Sequence, residues 1–442
     1  MSPTFAALAV RNYRLYIVGQ VLSNTGTWMQ RVAQDWLVLG LTGGSGVALG
    51  ITTGLQFLPF LLFSLWGGTL ADRLRRRRLL VATQAAMGVL AVALGVLTLT
   101  GTVTVGLVYA FAFLLGVAAA VDNPARQAFV GEMVPRETLP NAVALNSASF
   151  NLGRIVGPAL AGLLIAGIGT GAVFIVNGLS YAVAIAALVL MRPGELVAPV
   201  VRRAAEQVRL VDGLRYVRSR WQLVLVLVIV FAVGTFGFNF ALTLALMAQG
   251  EFGVGAAAFG LLSTALAVGA LGGSLLAARR RFVPLRLVVL SAIGFGLVTI
   301  AVGTMPTFVA MLVSLPVVGA AALTFSNAAQ SYLQLESSER MRGRVMGVYT
   351  LVFFGGTPLG APTIGWLADQ AGPRWGLWAG GAAVVLITVL ATLLLNPRRR
   401  SAAALPPALS GQADGPASTR RTTSVPAASG AAATATGTPQ SC

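Results

Sequence analysis

Residues 54–78 read GLQFLPFLLFSLWGGTLADRLRRRR. The fragment opens as an apolar run and ends on Asp72, Arg73, Arg75, Arg76, Arg77 and Arg78. A helix rises about 1.5 Å per residue, so about 20 apolar residues cross a hydrocarbon core of about 30 Å. A cluster of arginines cannot follow that run into lipid without a large desolvation cost. The fragment therefore reads as a membrane helix meeting a basic loop, and the remainder of the chain repeats this pattern.

Composition agrees. Of 442 residues, 56% are hydrophobic and 10% charged, less than half the charged fraction of about 25% typical of soluble proteins. That deficit excludes an ordinary soluble enzyme. All 31 basic residues are arginine, against 13 acids, for a net charge of +18. Such an excess can mark a nucleic-acid binder. Here the arginines sit in short clusters between apolar runs, so no nucleic-acid partner is expected. The chain has no histidine, and its one cysteine is Cys442. These counts remove the commonest metal ligand and general base and leave no pair of thiols. No metal, cofactor or catalytic residue is expected, and no G-x-x-x-x-G-K-[ST] nucleotide loop occurs.

Twelve spans follow from apolar length, near 15–39, 47–71, 79–100, 104–122, 142–167, 171–191, 222–248, 255–278, 286–304, 307–329, 345–369 and 374–395. The fold expected is an all-α integral membrane protein of two six-helix halves. Loops after even-numbered spans hold the arginines, including seven from Arg192 to Arg220; loops after odd-numbered spans hold Arg374 alone. By the positive-inside rule both termini are expected in the cytoplasm, in a multi-pass cell-membrane protein with an uncleaved first span. The organisation expected is a cytoplasmic N-terminus at 1–14, a first half at 15–191, a linker at 192–221, a second half at 222–395 and a disordered tail at 396–442. Ala204 to Arg220 fits either an amphipathic helix on the inner leaflet or a solvated linker.

The halves repeat at an offset of about 203 to 205 residues. Gly67-Gly68 and its arginine run match Gly272-Gly273 and Arg279 to Arg281. Gly116, Gln127 and Phe129 match Gly319, Gln330 and Tyr332, and Gly153, Gly157 and Gly162 match Gly356, Gly360 and Gly365. Parallel six-helix halves with a site at the midplane are one repeat plan of secondary transporters.

The fragment GTLADRLRRRR at Gly68, Leu70, Ala71, Asp72, Arg73, Arg76 and Arg77 resembles the signature of the major facilitator superfamily. Arg75 stands where that signature has a second glycine, and Ala277 replaces Asp72 in the second-half copy. The resemblance implies a conformational latch at Gly68, Asp72, Arg73, Arg76 and Arg77 that joins the halves in the outward-facing state. Gly153, Gly157, Pro158 and Gly162 resemble the helix-crossing motif of the superfamily's antiporters, where small residues permit close approach and the proline a kink. Residues 12–20 (NYRLYIVGQ), 25–43, 122–129 (DNPARQAF), 132–135 (EMVP) and 351–361 are similar to the twelve-helix drug and siderophore exporters of the enterobactin-exporter type. The span-four arginine of many proton antiporters is absent, its place taken by Ala112.

Ionisable residues deep in the spans are Arg31, Asp35 and Arg154. A charge at that depth costs roughly 2.5–3.5 kcal/mol on insertion scales, which marks it as a functional candidate. Gln20, Asn24, Thr27, Arg31, Gln34 and Asp35 share about one third of the circumference of helix one, a stripe expected to face a watery cavity. Arg31 and Asp35, four apart, are expected to pair and are the candidates for proton coupling; a structural ion pair is the rival role. Asp72, Asp122, Glu132, Glu336, Glu339 and Asp369 are expected near span ends or in loops, within reach of bulk water. The substrate-cavity candidates are Gln20, Asn24, Thr27, Gln34 and Arg154. Two roles fit Arg154: holding an anionic substrate group, or bonding backbone carbonyls beside the glycine crossing. Phe231, Phe236, Phe238, Phe240, Phe353 and Phe354 fit either an apolar pocket or ordinary packing.

The function expected is export of amphipathic small molecules, of drug or siderophore type, by a monomeric proton antiporter with alternating access. An importing permease of the same fold, or a membrane scaffold or sensor that does not transport, are the rival readings.

Overall fold

A computed structural model describes residues 3–196, 210–278, 280 and 282–395, and every regular element in it is helical. Lipid offers no partner to backbone N–H and C=O groups, so a spanning segment must satisfy them within itself. Span one is Arg11–Thr42, span two Gly46–Arg73, span three Arg76–Leu99 and span four Val105–Met133. Spans five and six form one continuous element, Leu139–Val189, folded back at Gly169, whose φ of 80° suits glycine. Spans eight, nine, ten and twelve are Ala256–Ala278, Leu285–Gly303, Phe308–Glu336 and Pro373–Leu395.

Among the described residues, ten helices are long and apolar enough to cross a bilayer by composition alone. The element Leu139–Val189 crosses twice, and span one falls outside that set because of its polar residues. Twelve crossings result. Side chains start several of them: Ser45, Thr104 and Thr307 accept the N–H groups of Ala48, Leu107 and Ala310 at 3.2, 3.4 and 3.2 Å.

Two spans of the second half are interrupted. Span seven is α-helical over Trp221–Ala232 and Phe240–Leu246, with wider turns over Val233–Gly237 and Met247–Glu251. Span eleven breaks at Gly356, between Glu339–Gly355 and Thr357–Ala371. Wide turns of this kind recur at functional positions in helices.

The glycine repeat has a matching structural role in each half. Gly153 and Gly157 of span five press on Asn24, Thr25 and Trp28 of span one, while Gly356 and Gly360 of span eleven press on Thr235 of span seven. The third glycine reaches across to the other half in both cases. Gly162 meets Ala256 and Ala257 of span eight, and Gly365 meets the Gly46 carbonyl of span two. Absence of a Cβ lets the backbones touch, the means by which helices associate where no hydrophobic force drives them together.

The two halves are joined toward one end, opposite the arginine clusters. Asp369 on span eleven accepts Gly46 N–H at 2.5 Å, Val47 N–H at 2.9 Å and Ser45 Oγ–H at 3.2 Å. A carboxylate from the second half thus caps the positive N-terminus of span two. Asp369, expected near a span end within reach of bulk water, is exposed there and also holds the amides of that N-terminus. On the other seam, Thr264 Oγ1 donates to the Ile155 carbonyl at 3.2 Å, and Gly260 packs on Pro158.

Toward the basic end the halves separate. Along the span-five face between spans one and eight, Ile165 and Ala161 are 9% and 0% exposed, whereas Phe150 and Val143 are 46% and 51% exposed. A cleft therefore opens toward the arginine-rich end and closes at the far end.

At the basic end, the linker forms a helix over Leu210–Arg218, within the expected 204–220 segment. It docks on the second half rather than standing free. Gly213 lies against Arg344, Ser338 N–H donates to Tyr216 Oη at 3.2 Å, and the Arg220 guanidinium sits 4.8 Å from the Tyr216 ring while donating to the Glu336 carbonyl at 3.0 Å. The backbone N–H of Ser338 holds the Tyr216 phenol below its ordinary pKa. Residues 197–209 and the expected disordered tail at 396–442 lie outside the described residues.

Candidate functional site

The polar residues of span one divide into two environments. Gln20, Asn24 and Gln34 are 2%, 6% and 2% exposed rather than open to the watery cavity expected from the sequence; Asn24 and Gln34 bond to neighbouring helices of the first half, while Gln20 Oε1 has no hydrogen-bond partner among the described residues. Asn24 Nδ2 donates to Ser149 Oγ at 3.2 Å, Gln34 Nε2 to the Val108 carbonyl at 3.4 Å, and Gln56 Nε2 to Gln34 Oε1 at 3.2 Å. Thr27 Oγ1 lies 3.0 Å from Tyr181 Oη, and Asn177 Nδ2 donates to Gln30 Oε1. Polar groups withdrawn from water cost free energy unless they are bonded, so the helix turns them toward partners.

This network holds an ion pair. Asp122, 2% exposed, accepts Thr83 Oγ1 at 2.8 Å, Gln84 Nε2 at 3.2 Å and the Arg126 guanidinium. Arg126 also donates to Asn24 Oδ1 at 2.8 Å. Asp122 was expected near water, at the end of a span over 104–122; span four instead continues through Pro124 to Met133. The i,i+4 spacing of Asp122 and Arg126 was the available signal. A proline inside a bilayer helix is tolerated where packed neighbours support it.

The second environment is the cleft. Arg31 places its guanidinium 4.8 Å from the Trp28 ring centroid and 5.5 Å from that of Phe57. It was expected to pair with Asp35, but among the described residues the two form no ion pair, and Asp35 accepts no hydrogen bond although it is 3% exposed. The aromatic faces of Trp28 and Phe57 hold the cation in its place.

Phe57 is also where the halves meet. Its ring stacks on Phe354 at 5.7 Å and 9°, and Phe60 lies 5.9 Å from the same ring. Phe354 touches Phe353 at 5.0 Å, Phe353 touches Phe238 at 5.2 Å, and Phe238 reaches Phe240 and Phe295 at 6.2 and 5.7 Å. Four of the six phenylalanines singled out in the sequence thus belong to one aromatic cluster. Phe231 is 42% exposed on span seven, and Phe236 packs in the second-half core.

Arg154 stands fifteen residues from Leu139 and from Gly169, about 22 Å from either end of its helix. At 100° per residue it falls between the face on span one (Gly153, Gly157) and the face on span eight (Ile155, Pro158, Gly162). One turn earlier, Phe150 contacts Trp28 edge-on at 5.8 Å. No backbone carbonyl or carboxylate bonds the Arg154 side chain among the described residues. The packing alternative for Arg154 thereby loses its support.

The basic knot after span two is bonded within the first half. Arg76 Nη1 meets Glu132 Oε1 at 2.5 Å, and Arg77 donates to the Leu188 and Val189 carbonyls at 2.7 and 2.8 Å, at the end of span six. Arg73 is exposed, and the Asp72 side chain lies outside the described part of the structure. Gly68, expected to permit close approach, has open space beside it; Gly67 is the residue pressed on the Ala120 carbonyl of span four.

The family model described as transmembrane secretion effector matches residues 2–414. The multidrug efflux pump Tap of Mycolicibacterium fortuitum is 29% identical over 369 residues, covering 81% of this chain and 89% of that protein. The enterobactin exporter EntS of Escherichia coli O1:K1 / APEC is 27% identical over 331 residues, covering 74% and 77%. Among solved structures, a bacterial homologue of the human lysosomal transporter Spinster, inward-facing and unoccupied, superposes with a TM-score of 0.70 at 16% identity, covering 88% of this chain and 97% of that one.

Proposed function

The chain belongs to the transmembrane secretion effector family of the major facilitator superfamily, and from that premise we propose that it exports amphipathic small molecules, of drug or siderophore type, by alternating access. It is a membrane transporter and not an enzyme. The observation that carries the direction and route is the cleft between the halves, closed at the far end by Asp369 and the glycine seams and open at the arginine-rich end. With the arginine loops and both termini in the cytoplasm, that cleft faces inward and is ready to load from the cell interior. In the opposite state the knot at Gly68, Asp72, Arg73, Arg76 and Arg77 closes the cytoplasmic end.

Protons drive the cycle in this reading, with Asp35 as the carrier. Asp35 is buried, unbonded and one turn beyond Arg31 toward the closed end. Burial and a neighbouring cation act on a carboxylate in opposite senses, so a change in the cleft changes its hold on a proton. Arg31, Thr27 and Arg154 border the substrate. Asn24 and Gln34 belong to the bonded interior of the first half, and Gln20, whose Oε1 lacks a partner in this state, gains one as the halves rock. The transporter acts as a monomer.

The test is retention of a dye and antibiotic panel in cells lacking or overexpressing the protein, with and without a protonophore. Overexpression should lower retention, and the protonophore should restore it. Asp35→Asn should abolish export against a gradient while substrate still binds; if that variant still exports and still responds to the protonophore, the carrier is elsewhere. Asp72→Asn should leave the protein in the membrane and depress transport. With Cys442→Ser as background, single cysteines at Gly101 or Gly169 should label from outside and one at Ala205 should not. External labelling at Ala205 overturns the orientation.

A further inference from the structure

We infer that the cleft takes organic anions with a planar, aromatic body, bound through Arg31 and Arg154. This rests on the export reading for the place of the site, and it adds the substrate's charge and shape.

Two cations stand at membrane depth beside the cleft, and among the described residues neither forms a direct ion pair. Arg31 lies against ring faces with Asp35 as its neighbouring carboxylate, and Arg154 makes no hydrogen bond or ion pair among the described residues. The contrast with the other arginine deep in the first half is direct: Arg126 is matched by Asp122 and Asn24. An unmatched guanidinium in a bundle interior is costly and persists where something else supplies the counter-charge. Lipid headgroups cannot reach the middle of span five. A substrate anion entering through the open end can.

The helices that carry the two arginines meet at Trp28. Arg31 lies over its ring, and Arg154 sits between Phe150 and Gly157, each of which touches Trp28. Beyond Trp28 the wall is aromatic on both halves, through Phe57 and Phe354. Guanidinium groups bind carboxylate, sulfonate or phenolate oxygens in a planar fork, and aromatic faces take flat rings. Asp35 lies one turn beyond Arg31, away from the open end, so the anionic group binds on the entrance side of Asp35.

Fluorescein and rhodamine 6G test the charge, since they share a xanthene ring and differ in sign. Binding is read by fluorescence polarisation on purified protein in nanodiscs of zwitterionic lipid, with empty discs subtracted. Fluorescein should bind the wild type at least about tenfold more tightly than rhodamine 6G. Arg154→Gln and Arg31→Gln should each weaken fluorescein about tenfold and leave rhodamine 6G unchanged. Arg154→Lys should recover part of the loss, and thermal melts of all variants separate lost binding from lost folding. Equal or stronger binding of the cationic dye, no binding of fluorescein by the folded wild type, or arginine variants that bind fluorescein normally, would overturn the inference.

Failure of the export reading looks different. In that case the retention panel shows no export although fluorescein still binds in an arginine-dependent way. Conversely, export of cationic compounds that is indifferent to both arginines sinks this inference and leaves export standing.

Discussion

The two halves share a repeat and differ in what fills it. At an offset of 203, Asp122 and Arg126 of span four correspond to Phe325 and Ala329 of span ten, both 0% exposed. Among the described residues, the buried charged side chains, Asp35 and Asp122, both belong to the first half. Its interior is laced by hydrogen bonds among Asn24, Thr83, Gln84, Asp122, Arg126 and Ser149. The second half instead packs Phe238, Phe240, Phe295 and Phe353, and its spans seven and eleven bend. A common backbone plan is thus kept by the crossing glycines, while one half carries the charges and the other the deformable aromatic wall.

The sharpest way to break this comparison is to unpair the first half. Arg126→Leu leaves Asp122 charged and buried without its cation, a loss of about 3–5 kcal/mol by analogy with broken buried pairs. The expected result is a large fall in the melting temperature of the solubilised protein. Replacing both members by their second-half counterparts, Asp122→Phe with Arg126→Ala, should recover much of it. Equal melting of the single and double variants would mean that the pair does not set the difference.

Next in size are the crossing glycines. Gly360→Ala drives a Cβ onto the Thr235 backbone carbonyl, and Gly157→Ala places one 2.6 Å from Trp28 Cβ and 2.9 Å from the Thr25 carbonyl. Overpacking of this kind costs about 1–3 kcal/mol, with Gly360→Ala the more severe. Thermal melts of the two variants compare the crossings directly; the reverse order would locate the tighter crossing in the first half.

A smaller effect is expected at the far-end closure. Asp369→Asn keeps the size but removes the charge from the N-terminus of span two, a change of about 0.5–1 kcal/mol. Labelling of a cysteine at Leu49, buried beside that seam, should rise about two- to fivefold from the far side. Unchanged labelling would leave closure to the glycine contacts alone.

The smallest effect distinguishes neighbours. Gly68→Ala meets open space and should change stability by less than about 0.5 kcal/mol. Gly67→Ala meets the Ala120 carbonyl and should cost clearly more. In the second half the packed member of the pair is Gly273, against Ala320, while Gly272 has open space beside it. The aligned glycine pairs therefore use opposite members, which an alignment of identical letters could not reveal.

Residues and sites differed in how readily they could be read. Apolar length located the spans, and the repeated glycines pointed to the crossings, because transfer to lipid and loss of a Cβ are properties of a short segment. Arg31 and Arg154 were visible as charges in apolar runs. Their partners were not. Arg31 was expected on Asp35, four residues away, and lies on Trp28 and on Phe57 of another helix. Asp122 was expected at the end of span four, and the span carries on through Pro124 to Met133.

The order of amino acids alone determined twelve membrane helices in two repeated halves, since about 20 apolar residues in succession can be satisfied only as a bilayer helix. Which buried polar group meets which, and where the halves touch, was decided by tertiary structure. Arg126 finds Asn24 across 102 positions of chain, and Asp369 finds Gly46 across 323. In a medium without water, a buried charge or amide takes whichever partner packing brings within about 3 Å, and that choice has no local signature in the chain.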